Sequence, residues 1–206
     1  MEITAITPQV KDKTRCSIYV DGRFYCGLAL ETTVKNRLKV GQSVTEQFLS
    51  EIQLESEKTS ALDKALTHIT ATQKTEREIR SFLTKKGYLP ATVEYVLEKL
   101  RGYDFVNDGE YAKAYVASKS KRKGERLIEL ELRAKGVSET DTEEALSLID
   151  EQSQIAAAQA VLEKYLRGKP QDAPTFQKAY RHLLSKGFTY DVAKSALTAF
   201  KDVDEL

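Results

Sequence analysis

Three copies of one short pattern constrain this chain more than any other feature. Lys86-Gly87-Tyr88, Lys135-Gly136-Val137 and Lys186-Gly187-Phe188 lie 49 and then 51 residues apart. Their flanks agree. Eight residues before each glycine stands Ile79, Ile128 or Ala179, and four before it Leu83, Leu132 or Leu183. Nine, ten and thirteen residues after it come Val96, Leu97 and Leu100, then Ala145, Leu146 and Ile149, then Ala196, Leu197 and Phe200. Apolar side chains four apart share a helix face, so each copy predicts a helix that stops at the glycine, whose access to positive φ suits a C-terminal cap. A second helix starts two residues on, with Ser138 and Thr189 at the N-cap and Pro90 at the first helical position, behind the weak cap Leu89. Thr75-Glu76-Arg77-Glu78 has the spacing of a capping box opening the upstream helix of the first copy. A further helix precedes each pair, at Ala61–Thr70, Gly109–Ser118 and Gln154–Leu166. A repeat of ~50 residues hides its apolar faces poorly alone and better beside neighbours, which predicts a mainly α fold of tandem three-helix repeats in an elongated, curved row. The alternative is a single compact bundle in which the Lys-Gly spacing is coincidence.

The residues before the repeats obey a different periodicity. Cys16–Val20 and Arg23–Leu28 are β-prone runs separated by Asp21-Gly22, the strongest short signal for a hairpin because both central residues of a type I′ turn need positive φ. Strand-like character extends from Met1 to about Val44, so a small β-hairpin unit precedes the helices, either purely structural or offering an edge to a partner. The expected division is a β-rich extension over 1–48, a linker or short helix over 49–60, and three-helix repeats over 61–108, 109–150 and 151–206. A strict two-residue turn pairs Val20 with Arg23 and Tyr19 with Phe24. Cys16 and Cys26 then fall one residue out of register, on opposite faces unless a bulge intervenes, and no histidine is near enough to complete a zinc site. Both are expected as free, half-buried thiols.

Composition narrows the function classes. With 206 residues, 41% hydrophobic, 31% charged, 10 Gly and 4 Pro, the chain is neither disordered nor collagen-like. No apolar stretch approaches the ~20 residues of a bilayer helix, and Met1-Glu2-Ile3-Thr4 lacks the basic and then apolar start of a signal region, so the cytoplasm is the expected location and no membrane partner is expected. No phosphate-binding, nucleophile-elbow or zinc-protease motif occurs. His68 and His182 are not at ligand spacing, and Glu129, Glu131, Glu143 and Glu144 sit among charged helix neighbours. The expectation is therefore no enzyme, no cofactor and no metal.

Net charge is only +1, yet it is unevenly spread. Residues 113–135 hold eight Lys/Arg against three Glu, a local net of +5, whereas residues 136–150 hold five carboxylates and no base. The candidate binding residues are Lys119, Lys121, Arg122, Lys123 and Arg126, with Arg133 further along and Tyr111 and Tyr115 one face back. Gly124 should break the helix and set this cluster at a joint. Basic groups beside aromatics at a repeat junction suit an acidic partner or a phosphate backbone, against the plain reading of a solvated helix end.

These residues also carry a family resemblance. Gly102-Tyr103-Asp104-Phe105-Val106-Asn107-Asp108-Gly109-Glu110-Tyr111-Ala112, then Ser118 to Gly124, Arg126-Leu127 and Leu132 to Val137, resemble the signature of the RecX family of bacterial recombination regulators. Thr75 to Arg80 with Leu83 and Lys86-Gly87-Tyr88 is similar to that family's first repeat, and the resemblance covers about residues 61–200. It implies a non-enzymatic monomer that binds the RecA recombinase filament on single-stranded DNA, inhibits its ATP hydrolysis and strand exchange, and limits the SOS response. Single-stranded DNA would be touched indirectly or weakly. The third repeat departs most, with a loop over Gly168–Pro174 and Ala179 at minus eight. Two other classes stay open: a direct nucleic-acid-binding repeat protein with no protein partner, which the near-zero net charge disfavours, and a structural scaffold.

Overall fold

The structure of the protein, a computed structural model, describes residues 1–10 and 12–204. Three strands come first, β1 (Ile3–Pro8), β2 (Arg15–Val20) and β3 (Arg23–Ala29). They are followed by α1 (Leu30–Lys35), α2 (Glu46–Ala71), α3 (Glu76–Lys85), α4 (Pro90–Gly102), α5 (Asp108–Lys119), α6 (Glu125–Lys135) and α7 (Glu139–Leu146). The last three helices are α8 (Glu151–Leu166), α9 (Ala173–Ser185) and α10 (Tyr190–Asp204). The fold is mainly helical behind a small N-terminal sheet, as the repeat predicts. Residues 205 and 206, the end of the third expected repeat, lie outside the described residues. The chain divides into two compact units, residues 1–73 with 79–105, and residues 74–78 with the chain from 106 onward.

In the first unit the sheet is antiparallel in the order β1-β2-β3. Asp21 and Gly22 take φ of 49° and 80°, as the hairpin turn demands. Val20 pairs with Arg23 and Tyr19 with Phe24, but Ile18 then pairs with Cys26 and Cys16 with Leu28, so Tyr25 is an extra residue in β3. This bulge overturns the expectation that the cysteines face opposite ways: Cys16, Ile18, Val20, Cys26 and Leu28 all turn to one buried face. Both cysteines are free, and they are buried rather than half-buried.

Two further expectations change in this unit. Residues 30–35, read as strand-like, form α1, and residues 49–60, read as a linker or short helix, are the interior of the 26-residue helix α2. Leu49 and Ile52 belong to the sheet's core, and Ser56 Oγ accepts a hydrogen bond from Ala29 N–H at 2.7 Å. A turn later Ala61 and Ala65 are buried as the first helix of the first triplet. One helix thus serves two cores, and its start, capped by Thr45 accepting from Phe48 N–H, lies fifteen residues before the repeat.

The repeat logic holds in detail at the caps. Gly87, Gly136 and Gly187 have φ of 87°, 86° and 87°. In each copy the residue after the glycine donates its N–H to the leucine carbonyl five residues back, as Val137 does to Leu132 at 3.1 Å, and the glycine donates to the carbonyl three back. These are Schellman motifs, with the apolar Tyr88, Val137 or Phe188 following the glycine. Thr75 and Glu78 form the reciprocal capping box, and Ser138 caps α7 by accepting from Asp141 N–H. In the second unit, α5–α7 close around Ala112, Val116, Ile128, Leu132, Val137 and Ala145, while α8–α10 close around a separate cluster containing Leu162, Leu183, Phe188 and Ala196. The second and third triplets therefore each have their own core.

Candidate partner-binding surface

The basic segment sits where α5 stops and α6 begins. Asn107 starts α5 by accepting from Glu110 N–H at 3.0 Å, and beyond Lys119 the chain turns through residues 120–123, with Arg122 and Lys123 N–H groups returning to Lys119 O. Gly124 is the N-cap of α6 and has no side chain to cap with. Its N–H instead donates to Lys186 O at 2.9 Å, and Arg126 N–H donates to Gly187 O at 3.2 Å. The backbones meet so closely that a Cβ on Gly124 would lie 2.2 Å from Gly187 and Phe188 backbone atoms. The expected joint is therefore real, and it is made by glycine against glycine. The start of α3 meets the end of α6 in the corresponding place, with the Thr75 Oγ1 hydroxyl rather than a backbone N–H donating to Lys135 O at 2.7 Å. At both junctions the positive end of one helix dipole meets the negative end of another.

The eight candidate side chains divide into three groups. Lys121 and Arg122 are exposed in the turn and make no ion pair among the described residues, while exposed Arg126 has its guanidinium 5.3 Å from the centre of the Tyr190 ring. Lys119, Lys123, Tyr111 and Tyr115 are drawn into an internal network. Tyr111 and Tyr115 stack at 5.9 Å, Lys119 lies 5.5 Å from the Tyr115 ring centre, and Lys135 lies 5.5 and 5.9 Å from the two rings. Glu131 receives the Tyr115 hydroxyl at 2.8 Å and pairs with Lys123. Arg133 stands apart near the other end of α6, 3.3 Å from Glu129 and 3.9 Å from Glu139.

Protonation follows this geometry. Burial alone would raise the Glu131 carboxyl, but the hydrogen bonds from Lys123 and Tyr115 hold it below its ordinary value. Tyr115 is pushed up to about 12 by burial and by its bond to Glu131. Lys135 is raised chiefly by Glu78, 2.7 Å away. Glu131 and Lys135 are thus charged at neutral pH, and the network braces the turn that carries Lys121 and Arg122.

Sequence reasoning missed the far wall of this surface. Lys121 and Arg122 line a cleft of about 500 Å³ together with Lys164 and Tyr165 of α8, His182 of α9 and Lys186. The clue was available, since Lys186 occupies the place of Lys135 in the repeat. Among the described residues no group of three or more His, Cys, Asp or Glu side chains is placed to hold a metal ion, and no helix is long and apolar enough to cross a membrane.

Family models match in the order of the architecture. Residues 1–45 match the regulatory protein RecX N-terminal domain, and residues 61–100, 107–146 and 152–197 match the first, second and third three-helix domains of RecX. The regulatory protein RecX of Bacillus licheniformis is 32% identical over 199 residues, 95% of this chain and 76% of that protein. That of Clostridium tetani is 30% identical over 200 residues, 95% of this chain and 93% of its own. A crystal structure of regulatory protein RecX superposes with a TM-score of 0.68 at 28% identity, covering 95% of this chain and 98% of that one. The crystal structure of RecX from Lactobacillus salivarius gives 0.64 at 25% identity, over 73% of this chain and 98% of that one.

Proposed function

Because the chain belongs to the RecX family of regulatory proteins, we propose that it binds the RecA recombinase filament on single-stranded DNA and inhibits the filament's ATP hydrolysis and strand exchange. The observation that supports this reading most is the four RecX domains matched in order along one chain. In this reading the protein is a cytoplasmic monomer that makes and breaks no covalent bond, serves DNA repair, recombination and the SOS response, and has its repeats divided at 61–108, 109–150 and 151–206. The partner surface is the α5–α6 turn. Lys121, Arg122 and Arg126 meet the filament, while Lys119, Lys123, Tyr111 and Tyr115 fix the turn and Arg133 extends the basic face along α6. DNA is met through the filament, since a chain of net charge +1 lacks the basic excess of a strong nucleic-acid binder.

Affinities for bare single-stranded DNA, RecA alone and the RecA filament test this. The filament should be preferred by at least ~10-fold, with ATP hydrolysis falling as the protein is added. Equal affinity for bare DNA would favour a direct nucleic-acid binder instead.

A further inference from the structure

The repeat supplies a control for the cleft beside α9. Lys135 and Lys186 both precede a capping glycine, and the carbonyl of each accepts a hydrogen bond from the N-cap position of another middle helix. At the α3–α6 junction Lys135 is answered from within the protein, its Nζ 2.7 Å from Glu78, and Glu131, five residues before the same glycine, is paired too, with Lys123 of the α5–α6 turn. At the α6–α9 junction the position of Glu78 is taken by Leu127 and that of Glu131 by His182. Lys186 is instead joined by Lys121, Arg122 and Lys164, and no carboxylate lines the cleft. None of these four cations forms an ion pair among the described residues. His182, stacked on Tyr165 at 4.5 Å, is held below its ordinary pKa by burial, Lys186 and Lys169, so the imidazole adds an aromatic wall rather than a fifth charge.

Four like charges around a concavity focus a positive potential there that attracts an anion. We infer that this cleft binds a nucleoside di- or triphosphate, with Lys121, Arg122, Lys164 and Lys186 around the phosphates and the nucleoside against the His182 ring, since Tyr165 is covered by His182 and by Lys169, whose Nζ lies 3.2 Å from its ring centre. Its volume of about 500 Å³ lies within the usual span of small-molecule sites. An aromatic wall beside clustered cations suits a ligand that joins phosphates to one planar base. The inference gives Lys121 and Arg122 a second ligand besides the partner proposed above, and its test contains no RecA, so the two readings fail separately.

The test is equilibrium dialysis of the full chain at physiological salt with ATP, ADP, inorganic pyrophosphate and a twenty-residue oligo-thymidylate, about the length that gives a strand full access. One ATP or ADP per chain should bind with Kd below ~100 µM, weakened at least 10-fold by Lys164→Ala and by Lys186→Ala and unchanged by Lys178→Ala on exposed α9 surface. Lys164 is exposed on α8, where alanine keeps the helix, so that variant decides the matter if Lys186→Ala does not fold. Absence of saturable nucleotide binding, or binding untouched by Lys164→Ala, would overturn the inference. Pyrophosphate binding as tightly as ADP would overturn the nucleoside assignment. Oligo-thymidylate binding lost in the same variants, and not displaced by ATP, would make the cleft a strand site instead.

Discussion

Gly87 and Gly187 share a backbone conformation but not a neighbourhood. An alanine Cβ at Gly87 would meet nothing within 4 Å, so Gly87→Ala carries only the cost of left-handed backbone, about 1–2 kcal/mol. At Gly187 the same atom would lie 2.4 Å from Leu127 Cβ and N, adding about 1–3 kcal/mol of overpacking. Gly124 is the informative third case. Its φ of −80° suits any residue, yet its Cβ would strike Gly187 backbone at 2.2 Å. Urea unfolding should rank Gly187→Ala as more destabilising than Gly87→Ala, with Gly124→Ala clearly destabilising despite its ordinary φ; equal midpoints for all three would contradict the glycine junction. The cysteines give a second prediction at this scale. Cys16 Sγ lies 3.0 Å from Thr33 Oγ1, and burial followed by its neighbour Cys16 pushes the Cys26 thiol up to about 11. Thiol reagent at pH 8 should leave both untouched in the native protein and titrate two thiols after denaturation without reductant. A mass two hydrogens light would show a disulfide.

At the scale of elements, the α3 capping box ties the start of one middle helix to the end of another. Burial works against the Glu78 carboxylate, but the Lys135 and Thr75 hydrogen bonds outweigh it and hold its pKa below the ordinary 4.5. A depressed folded-state pKa contributes stability that is present above the unfolded value and lost as pH falls through the folded one. Glu78→Gln should therefore flatten the decline of stability below pH ~4.5, read as melting temperature against pH. The α5–α6 turn gives the functional prediction. Reversing Lys123 would set two negative charges together at Glu131, so the informative variant is Lys121→Glu, Arg122→Glu, Arg126→Glu, which leaves that network intact. Its structural loss is the Arg126–Tyr190 contact, about 0.5–1 kcal/mol at an exposed site. Affinity for RecA filaments should fall at least ~10-fold in the folded triple variant, and unchanged inhibition of ATP hydrolysis would sink the assignment. The sequence made the turn, its basic character and the three Schellman caps legible because each is a local pattern. It hid the Tyr25 bulge, which needs one extra residue and no special type, and the continuity of α2, whose Leu49 and Ile52 serve the sheet while Ala61 and Ala65 serve the helices. It also hid Lys164, which joins Lys121 only through the junction.

For the whole molecule the question is whether one triplet can do the work of several. A chain cut after Asp150 keeps the α5–α7 core, whose members, Ala112 to Ala145, all lie before the cut. At the junction it loses the acceptors of Gly124 and Arg126 N–H, the Gln154 amide that donates to Ser120 O at 3.4 Å, the Tyr190 ring beside Arg126 and the Gly187 backbone packed on Leu127. Water can replace the three hydrogen bonds once the surface is open, and the α5–α7 core is kept whole, so the shortened chain should fold, with its α6 start frayed. It also keeps Lys121, Arg122 and Arg126. If each triplet contributes a modest patch to the filament, linking them raises the effective concentration of each at its neighbouring site, and avidity can exceed a single contact by ~100-fold or more. The shortened chain should then still bind RecA filaments, but dissociate markedly faster and inhibit strand exchange only at higher concentration. Dissociation rates measured side by side, with circular dichroism to establish folding, read this directly. A direct DNA binder centred on the 119–126 segment behaves differently, since it should keep most of its affinity for bare single-stranded DNA after the same cut. Full inhibition of strand exchange by the folded, shortened chain at equal concentration would show that the third triplet is dispensable and that linkage contributes nothing.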